Sequence, residues 1–165
     1  MQTIYLMCGI PGSGKTTWVK KHFNPETDRH ISRDIIRFSM LNENDSYFAK
    51  ESQVIREFYN QIQQAIDTGV ENIYIDATHL NYPSRNKVLI HIHYPQDTRL
   101  CCVVFDIPKT ICKERNANRS GRERVPDDVI DKMYDSYRDP GEDDIDYDAI
   151  WYINADGNLA WEVYK

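Results

Sequence analysis

The run Gly9-Ile10-Pro11-Gly12-Ser13-Gly14-Lys15-Thr16 satisfies G-x-x-x-x-G-K-[ST] in full, and no other feature of the chain restricts its fold as strongly. It follows the apolar run Ile4-Tyr5-Leu6-Met7-Cys8, which reads as a buried strand, and precedes a helical pattern from about Lys15 to Phe23. Glycines in this context let successive backbone N–H groups converge on phosphate oxygens at a helix N-terminus. Lys15 then reaches the β- and γ-phosphates, and the Thr16 hydroxyl completes an octahedral Mg²⁺ shell. Gly9, Gly12, Ser13, Gly14, Lys15, Thr16 and Thr17 are thus expected to hold ATP, with Thr16 also at the metal.

Short apolar runs alternate with helical patterns along the rest of the chain. Strands are expected at His30–Ser32, Ile73–Asp76, Leu100–Phe105 and Ala149–Ile153, with a last run at Leu159–Tyr164. Helices are expected near Asp34–Leu41, from Pro83-Ser84 to about His93, from Lys109 to Arg115 or slightly beyond, and after Pro126. A longer helix capped by Asn44-Asp45-Ser46 should pack Phe48, Ile55, Tyr59, Ile62 and Ile66 into the core. The segment from Asn116 to Val125 is nearly free of apolar residues and reads as an exposed loop. The pattern predicts an α/β fold of the three-layer P-loop NTPase type: a mostly parallel sheet, helices on both faces, and an antiparallel C-terminal edge hairpin. The 165 residues fit one domain, 1–165.

Composition narrows the function classes. With 41% apolar and 12% aromatic residues the chain is too rich for a disordered one. No window approaches the roughly 18 uninterrupted apolar residues of a membrane span. The first residues lack the basic region and cleavage site of a signal peptide. The cysteines Cys8, Cys101, Cys102 and Cys112 show no zinc spacing and sit mostly in apolar runs. A reduced, cytoplasmic protein with no membrane partner is expected. The formal net charge of −6 argues against a broad nucleic-acid coat, but its distribution is uneven. Pro126–Ile150 carries ten acids against two bases, whereas Lys109–Arg124 carries six bases against two acids.

Other candidate site residues end the predicted strands, where a parallel sheet presents its ligand crevice. Asp34 follows the second strand and is placed to accept the proton of an attacking hydroxyl, unless it only caps its helix. Arg37, one helical turn on, would share its face and grip an acceptor phosphate. Asp76 ends the third strand and is the favoured acid for ordering water around Mg²⁺, with Thr78 offering a hydroxyl nearby; Asp106, ending the fourth, competes for that role. Arg115, Arg119, Arg122 and Arg124 form a cluster that suits a mobile arginine-bearing lid over about 115–126, closing on a transferring phosphoryl group. The alternative is a solvated basic face. The five histidines show no metal constellation, and His91 and His93 point different ways on a helix.

These elements together resemble polynucleotide 5′-hydroxyl kinases of the bacteriophage type. The resemblance rests on Gly9–Thr17, Ser32-Arg33-Asp34 with Arg37, Asp76-Ala77-Thr78-His79-Leu80-Asn81, Val104-Phe105-Asp106-Ile107-Pro108, and Arg115-Asn116 through Arg119 to Val125-Pro126. It covers about residues 3–138, the kinase domain only. It implies Lys15 and Thr16 on ATP and Mg²⁺, Asp34 as general base on a 5′-hydroxyl, Arg37 on the adjacent acceptor phosphate, and Arg119 on the donor phosphates supported by Arg115. The chain departs from the pattern at Ala77, where the phage kinase has its acid immediately before the Thr. Asp144-Ile145-Asp146-Tyr147 does not supply the D-x-D-x-[TV] motif of that enzyme's phosphatase domain. The acidic segment 139–148 and the C-terminal hairpin have no counterpart in the pattern. The resemblance implies ATP-dependent transfer to a DNA or RNA 5′ end. Kinases of nucleosides or other small acceptors share the donor half, and a non-catalytic ATP-binding module would lack need of Asp34.

Overall fold

The computed structural model describes residues 1–141 and 144–164; Glu142 and Asp143 of the acidic segment, and Lys165, lie outside the described residues. Six strands, β1 (Thr3–Cys8), β2 (Asp28–Ser32), β3 (Asn72–Asp76), β4 (Arg99–Phe105), β5 (Ala149–Ile153) and β6 (Leu159–Tyr164), form one sheet in the order β2-β3-β1-β4-β5-β6. All pairings are parallel except β5 with β6. Successive side chains of a strand face opposite ways. Ile4, Leu6 and Cys8 of β1 therefore enter one core with Leu100, Cys102 and Val104 of β4, while Met7 enters the other with Cys101, Val103 and Phe105. Burial on both faces is why these strands read as unbroken apolar runs. The three-layer α/β architecture is as expected, including the edge hairpin.

The helices are α1 (Lys15–His22), α2 (Arg33–Met40), α3 (Glu51–Asp67), α4 (Tyr82–Leu89), α5 (Lys109–Ala117) and α6 (Asp127–Ser136). Residues of α2, α3 and α4 fill the first core, and residues of α1, α5 and α6 fill the second. No helix among the described residues is long and apolar enough to cross a membrane.

Three expectations need correction. The long helix starts at Glu51, beyond the proposed caps, and turns Val54, Phe58, Ile62, Ala65 and Ile66 inward. Phe48 precedes it and is 67% exposed, while Ile55 and Tyr59 are only half-buried. Adjacent apolar pairs, Val54-Ile55 and Phe58-Tyr59, make the helical phase ambiguous from sequence, and Tyr59 instead stacks on His91 at 4.7 Å. The helix begun at Asn81 stops at Leu89, so His91 and His93 lie in the following turn. The 116–125 segment is not uniformly exposed. Asn116 is fully buried at the end of α5; its Nδ2 donates to the Val125 carbonyl at 2.7 Å and its Oδ1 accepts from the Val125 N–H at 3.0 Å. One side chain thus closes the base of the loop, whose middle, Gly121–Glu123, is a single 3₁₀ turn.

Candidate functional site

The strand order sets the site. β1 is central and delivers the Gly-rich loop; β3, beside it, ends at Asp76, and β2, beside β3, leads into Asp34. All three end on the same edge of the sheet, where Ser32 and Met7 both pair in register with Asp76. On the other side, β4 and β5 contribute Phe105 and the turn after Ile153.

The loop itself depends on backbone geometry that side chains oppose. Gly12 and Gly14 take φ of 82° and 96°, in the left-handed region that favours glycine. A Cβ on Gly12 would also stand 2.3 Å from the Cys112 carbonyl oxygen, so α5 packs directly on the loop backbone. Lys15 curls over it, its Nζ donating to the Gly9 carbonyl at 2.8 Å and the Ile10 carbonyl at 3.2 Å. Burial lowers the Lys15 pKa, the charges of Asp76 and Asp34 oppose that, and Arg119 lowers it further. Lys15 therefore feels both carboxylates and the exposed Arg119, which places all four groups around one crevice.

Asp76 is the acid beside the loop. The Thr16 hydroxyl donates to its Oδ2 at 2.8 Å, and His30 Nε2 donates to the same oxygen at 2.9 Å. Burial pushes the Asp76 pKa up, but the His30 hydrogen bond, the Lys15 charge and Thr16 outweigh it, and the net shift is down. Asp106 is exposed. His30 is a site residue that sequence reading missed, since a polar residue inside a strand run carries no motif.

Asp34 is not a helix cap: Ser32 caps α2, its Oγ accepting from the Ile35 N–H at 3.3 Å. The Asp34 side chain is 62% exposed, and its Oδ1 accepts from Arg37 Nη1 and from the Tyr47 hydroxyl, both at 2.7 Å. Both bonds end on Oδ1, so among the described residues Oδ2 is left for another donor. Arg37 is buried and highly engaged. Its Nη1 also donates to the Tyr47 oxygen at 2.8 Å, its Nη2 donates to Glu51 at 2.7 Å, and its Cζ lies 4.2 Å from the Tyr47 ring centroid. Burial and the neighbouring Asp34 push the Tyr47 hydroxyl well above its ordinary pKa, so it stays a donor. Tyr47 and Glu51 were not anticipated, because the stretch after Asn44-Asp45-Ser46 reads as the start of the long helix, whereas α3 begins only at Glu51 and leaves Tyr47 in a loop beside Asp34.

The Asp76–Asn81 segment crosses the floor. Thr78 is half-buried, and its carbonyl accepts from the Gly9 N–H at 2.9 Å, tying the floor to the loop. His79 holds a left-handed φ of 42°, uncommon for a non-glycine residue. Its Nδ1–H donates to the Met7 carbonyl at 2.7 Å, and burial drives its pKa down to about 4, so the ring is neutral. Arg85, on α4 and 1% exposed, donates to the His79 carbonyl at 3.1 Å and forms a buried ion pair with Asp144. The acidic segment thus supplies the counter-charge for an arginine that pins the floor.

Arg115 lies over the loop's far side, donating to the carbonyls of Gly12 and Ser13 at 3.4 Å each and to that of Ala155 at 2.6 Å. A recess of about 280 Å³ opens there, lined by Gly14, Trp18, Phe105, Arg115 and the Asn154–Gly157 turn of the C-terminal hairpin. Arg119 lies beyond the end of α5 and is exposed. Arg122 reaches from the 3₁₀ turn to the carbonyls of Asn42 at 2.9 Å and Asp45 at 3.2 Å. The basic segment is thereby clasped to the loop that carries Tyr47.

Solved structures with this arrangement include a chain of the Pnkp1/Rnl/Hen1 RNA repair complex, with a TM-score of 0.67 and 20% identity over 82% of this chain. The match spans 43% of that relative's length. A fungal RNA kinase matches with a TM-score of 0.64 and 14% identity, over 92% of this chain and 74% of its own. A gluconokinase from Sinorhizobium meliloti 1021 matches with a TM-score of 0.59 and 16% identity, over 96% and 85%. At these identities the likeness concerns the fold alone. A family model described as an AAA domain matches residues 4–140, from the first strand through the basic segment and α6. The chain belongs to that AAA-domain family of P-loop proteins.

Proposed function

We propose that this protein transfers the γ-phosphate of ATP to a 5′-hydroxyl end of DNA or RNA. The observation that carries the reading is Asp34: an exposed carboxylate with one oxygen engaged by Arg37 and Tyr47 and the other open, in electrostatic reach of the Gly-rich loop's lysine. A nucleotide-binding module without transfer has no use for such a group.

In this reading the backbone N–H groups of Gly12–Thr17, with Lys15, bind the triphosphate, and phosphate oxygens replace the loop carbonyls as partners of Lys15. Thr16 and Asp76 would hold Mg²⁺: their hydroxyl and carboxylate oxygens, 2.8 Å apart, are hard donors of the kind Mg²⁺ selects, and Asp76 would act on it through water. Bound Mg²⁺ supplies charge neutralisation at the phosphates. His30 keeps Asp76 ionised and oriented. Arg119 acts as the lid arginine on the donor phosphates, and Arg115 holds the loop against the hairpin turn, beside a recess suited to the nucleoside of ATP. Asp34 Oδ2 accepts the acceptor's hydroxyl proton as that oxygen attacks the γ-phosphorus and the β-phosphate of ADP leaves. Arg37, expected to grip the acceptor's phosphate, has its Nη donors on Asp34, Tyr47 and Glu51, so in this reading it holds the base in place.

The likeness to RNA kinase structures supports a nucleic-acid acceptor. The gluconokinase likeness, which spans more of both chains than the RNA repair match, favours a second reading with a small polyol acceptor. An acceptor screen with γ-labelled ATP separates them. Label is expected in a 5′-hydroxyl oligonucleotide and not in gluconate or free nucleosides; label only in the small molecules overturns the reading.

A further inference from the structure

The acceptor side of the crevice carries aromatic surface that neither the core nor ATP binding uses. Phe48 is 67% exposed and Ile35, next to Asp34 on α2, is 56% exposed. Phe38, one turn beyond Asp34, packs edge-on against Tyr47 at 6.1 Å, and Tyr47 packs edge-on against Phe48 at 4.8 Å. These rings are joined to the proposed base itself, since the Tyr47 hydroxyl donates to Asp34 Oδ1. The Arg37 guanidinium lies 5.9 Å from the Phe48 ring centroid, so one face of that ring is backed by a cation. The loop bearing Phe48 is held in place. Arg122 bonds its carbonyls at Asn42 and Asp45, Lys50 Nζ donates to the Met40 carbonyl at 2.6 Å, and the Asn42 N–H donates to Asp45 at 2.8 Å.

Resting on the proposed function above, we infer that Phe48, joined to Phe38 through Tyr47, is a stacking surface for the nucleobase of the acceptor's 5′-terminal nucleotide. The hydroxyl that meets Asp34 Oδ2 belongs to a sugar whose own substituents must lie within a few ångströms of this cluster. A nucleobase presents a flat π-face that an exposed phenyl ring meets without regard to base identity. Charge agrees with that occupant. Arg33, adjacent to Asp34, has no carboxylate partner among the described residues and lies over the Phe58 ring at 5.7 Å, which leaves a cation for an acceptor phosphate. A 5′-hydroxyl nucleotide, with its base and its 3′-phosphodiester, fits both features, whereas gluconate offers neither a π-face nor a phosphate. Tyr47 in the same cluster is a positioning residue, acting on the reaction through Asp34.

The test compares kcat/KM for a 5′-hydroxyl oligonucleotide with that for the same strand carrying an abasic 5′-terminal residue, using the full chain. Stacking of one base on an aromatic ring corresponds to a preference of about 5- to 100-fold for the base-bearing strand. Phe48→Ala is expected to reduce that ratio to about one, through KM for the oligonucleotide, with KM for ATP unchanged. Phe48→Trp is expected to keep the ratio. Because Phe48 is mostly exposed, both variants should unfold at the wild-type temperature, which separates recognition from folding. A wild-type ratio near one, or a ratio that survives Phe48→Ala, overturns the stacking surface while leaving 5′-end transfer standing. Failure to label any oligonucleotide overturns both.

Discussion

Replacing Asp144 by Ala leaves the Arg85 guanidinium, 1% exposed, with the His79 carbonyl as its remaining partner among the described residues. Removing one member of a buried ion pair costs about 3–5 kcal/mol, because the other charge stays desolvated without compensation. Asp144 Oδ1 also accepts from the Ile145 N–H at 2.7 Å, and losing that bond adds about 1 kcal/mol. The expected loss of about 4–6 kcal/mol is a large share of the 5–15 kcal/mol typical of a domain. In a chain of this length it lowers Tm by roughly 10–20 °C. Urea unfolding followed by circular dichroism measures it. The double replacement Arg85→Met with Asp144→Leu removes both charges together and should recover most of the loss, since apolar pairs of similar volume substitute well for buried ion pairs. A single variant losing under about 1 kcal/mol, or a double variant as unstable as the sum of both singles, would refute the reasoning about the buried charge.

Two further perturbations probe the loop and the floor. Gly12→Ala places a Cβ 2.3 Å from the Cys112 carbonyl at a φ of 82°, whereas Gly69→Ala meets nothing within 4 Å at a φ of 69°. Gly69→Ala should cost only the left-handed backbone penalty of about 1–2 kcal/mol, and Gly12→Ala at least about 1 kcal/mol more, with weakened ATP binding; equal losses in chemical denaturation would show that α5 does not rest on the loop. His79 is neutral in the folded protein with a pKa of about 4, below the ordinary 6.5. The unfolded chain therefore binds the extra proton first as pH falls, so the His79 contribution is intact above about pH 6.5 and lost progressively down to about pH 4, by about 3 kcal/mol. His79→Asn, which tolerates the left-handed backbone, should flatten that part of the stability-versus-pH curve, and an unchanged slope would contradict the assignment.

What the sequence revealed was local and what it hid was long-range. The Gly-rich loop was legible because Gly9, Gly14, Lys15 and Thr16 occupy the positions that phosphate chemistry requires and the flanking periodicities agreed. Asp34 and Asp76 were legible because strand ends in a parallel sheet share an edge. His30, Tyr47, Glu51 and Arg85 were not, because each acts through a partner brought near by folding: Arg85 meets Asp144 across 59 positions, and His30 meets Asp76 across 46. Asn116 read as part of a polar loop because nothing local shows that its amide closes that loop upon Val125. The face of α3 was misassigned because two neighbouring apolar stripes both fit a helical period, and only packing on β2 and β3 chooses between them.

The central claim is that Asp34 takes the proton of a 5′-hydroxyl while the Gly-rich loop holds ATP. Single-turnover transfer from γ-labelled ATP to a 5′-hydroxyl oligonucleotide, measured beside ATP affinity in the same preparation, tests it for Asp34→Asn. Loss of general-base catalysis predicts a rate lower by about 10²–10⁴-fold with ATP affinity within about twofold of wild type. Transfer at the wild-type rate by Asp34→Asn would contradict the account.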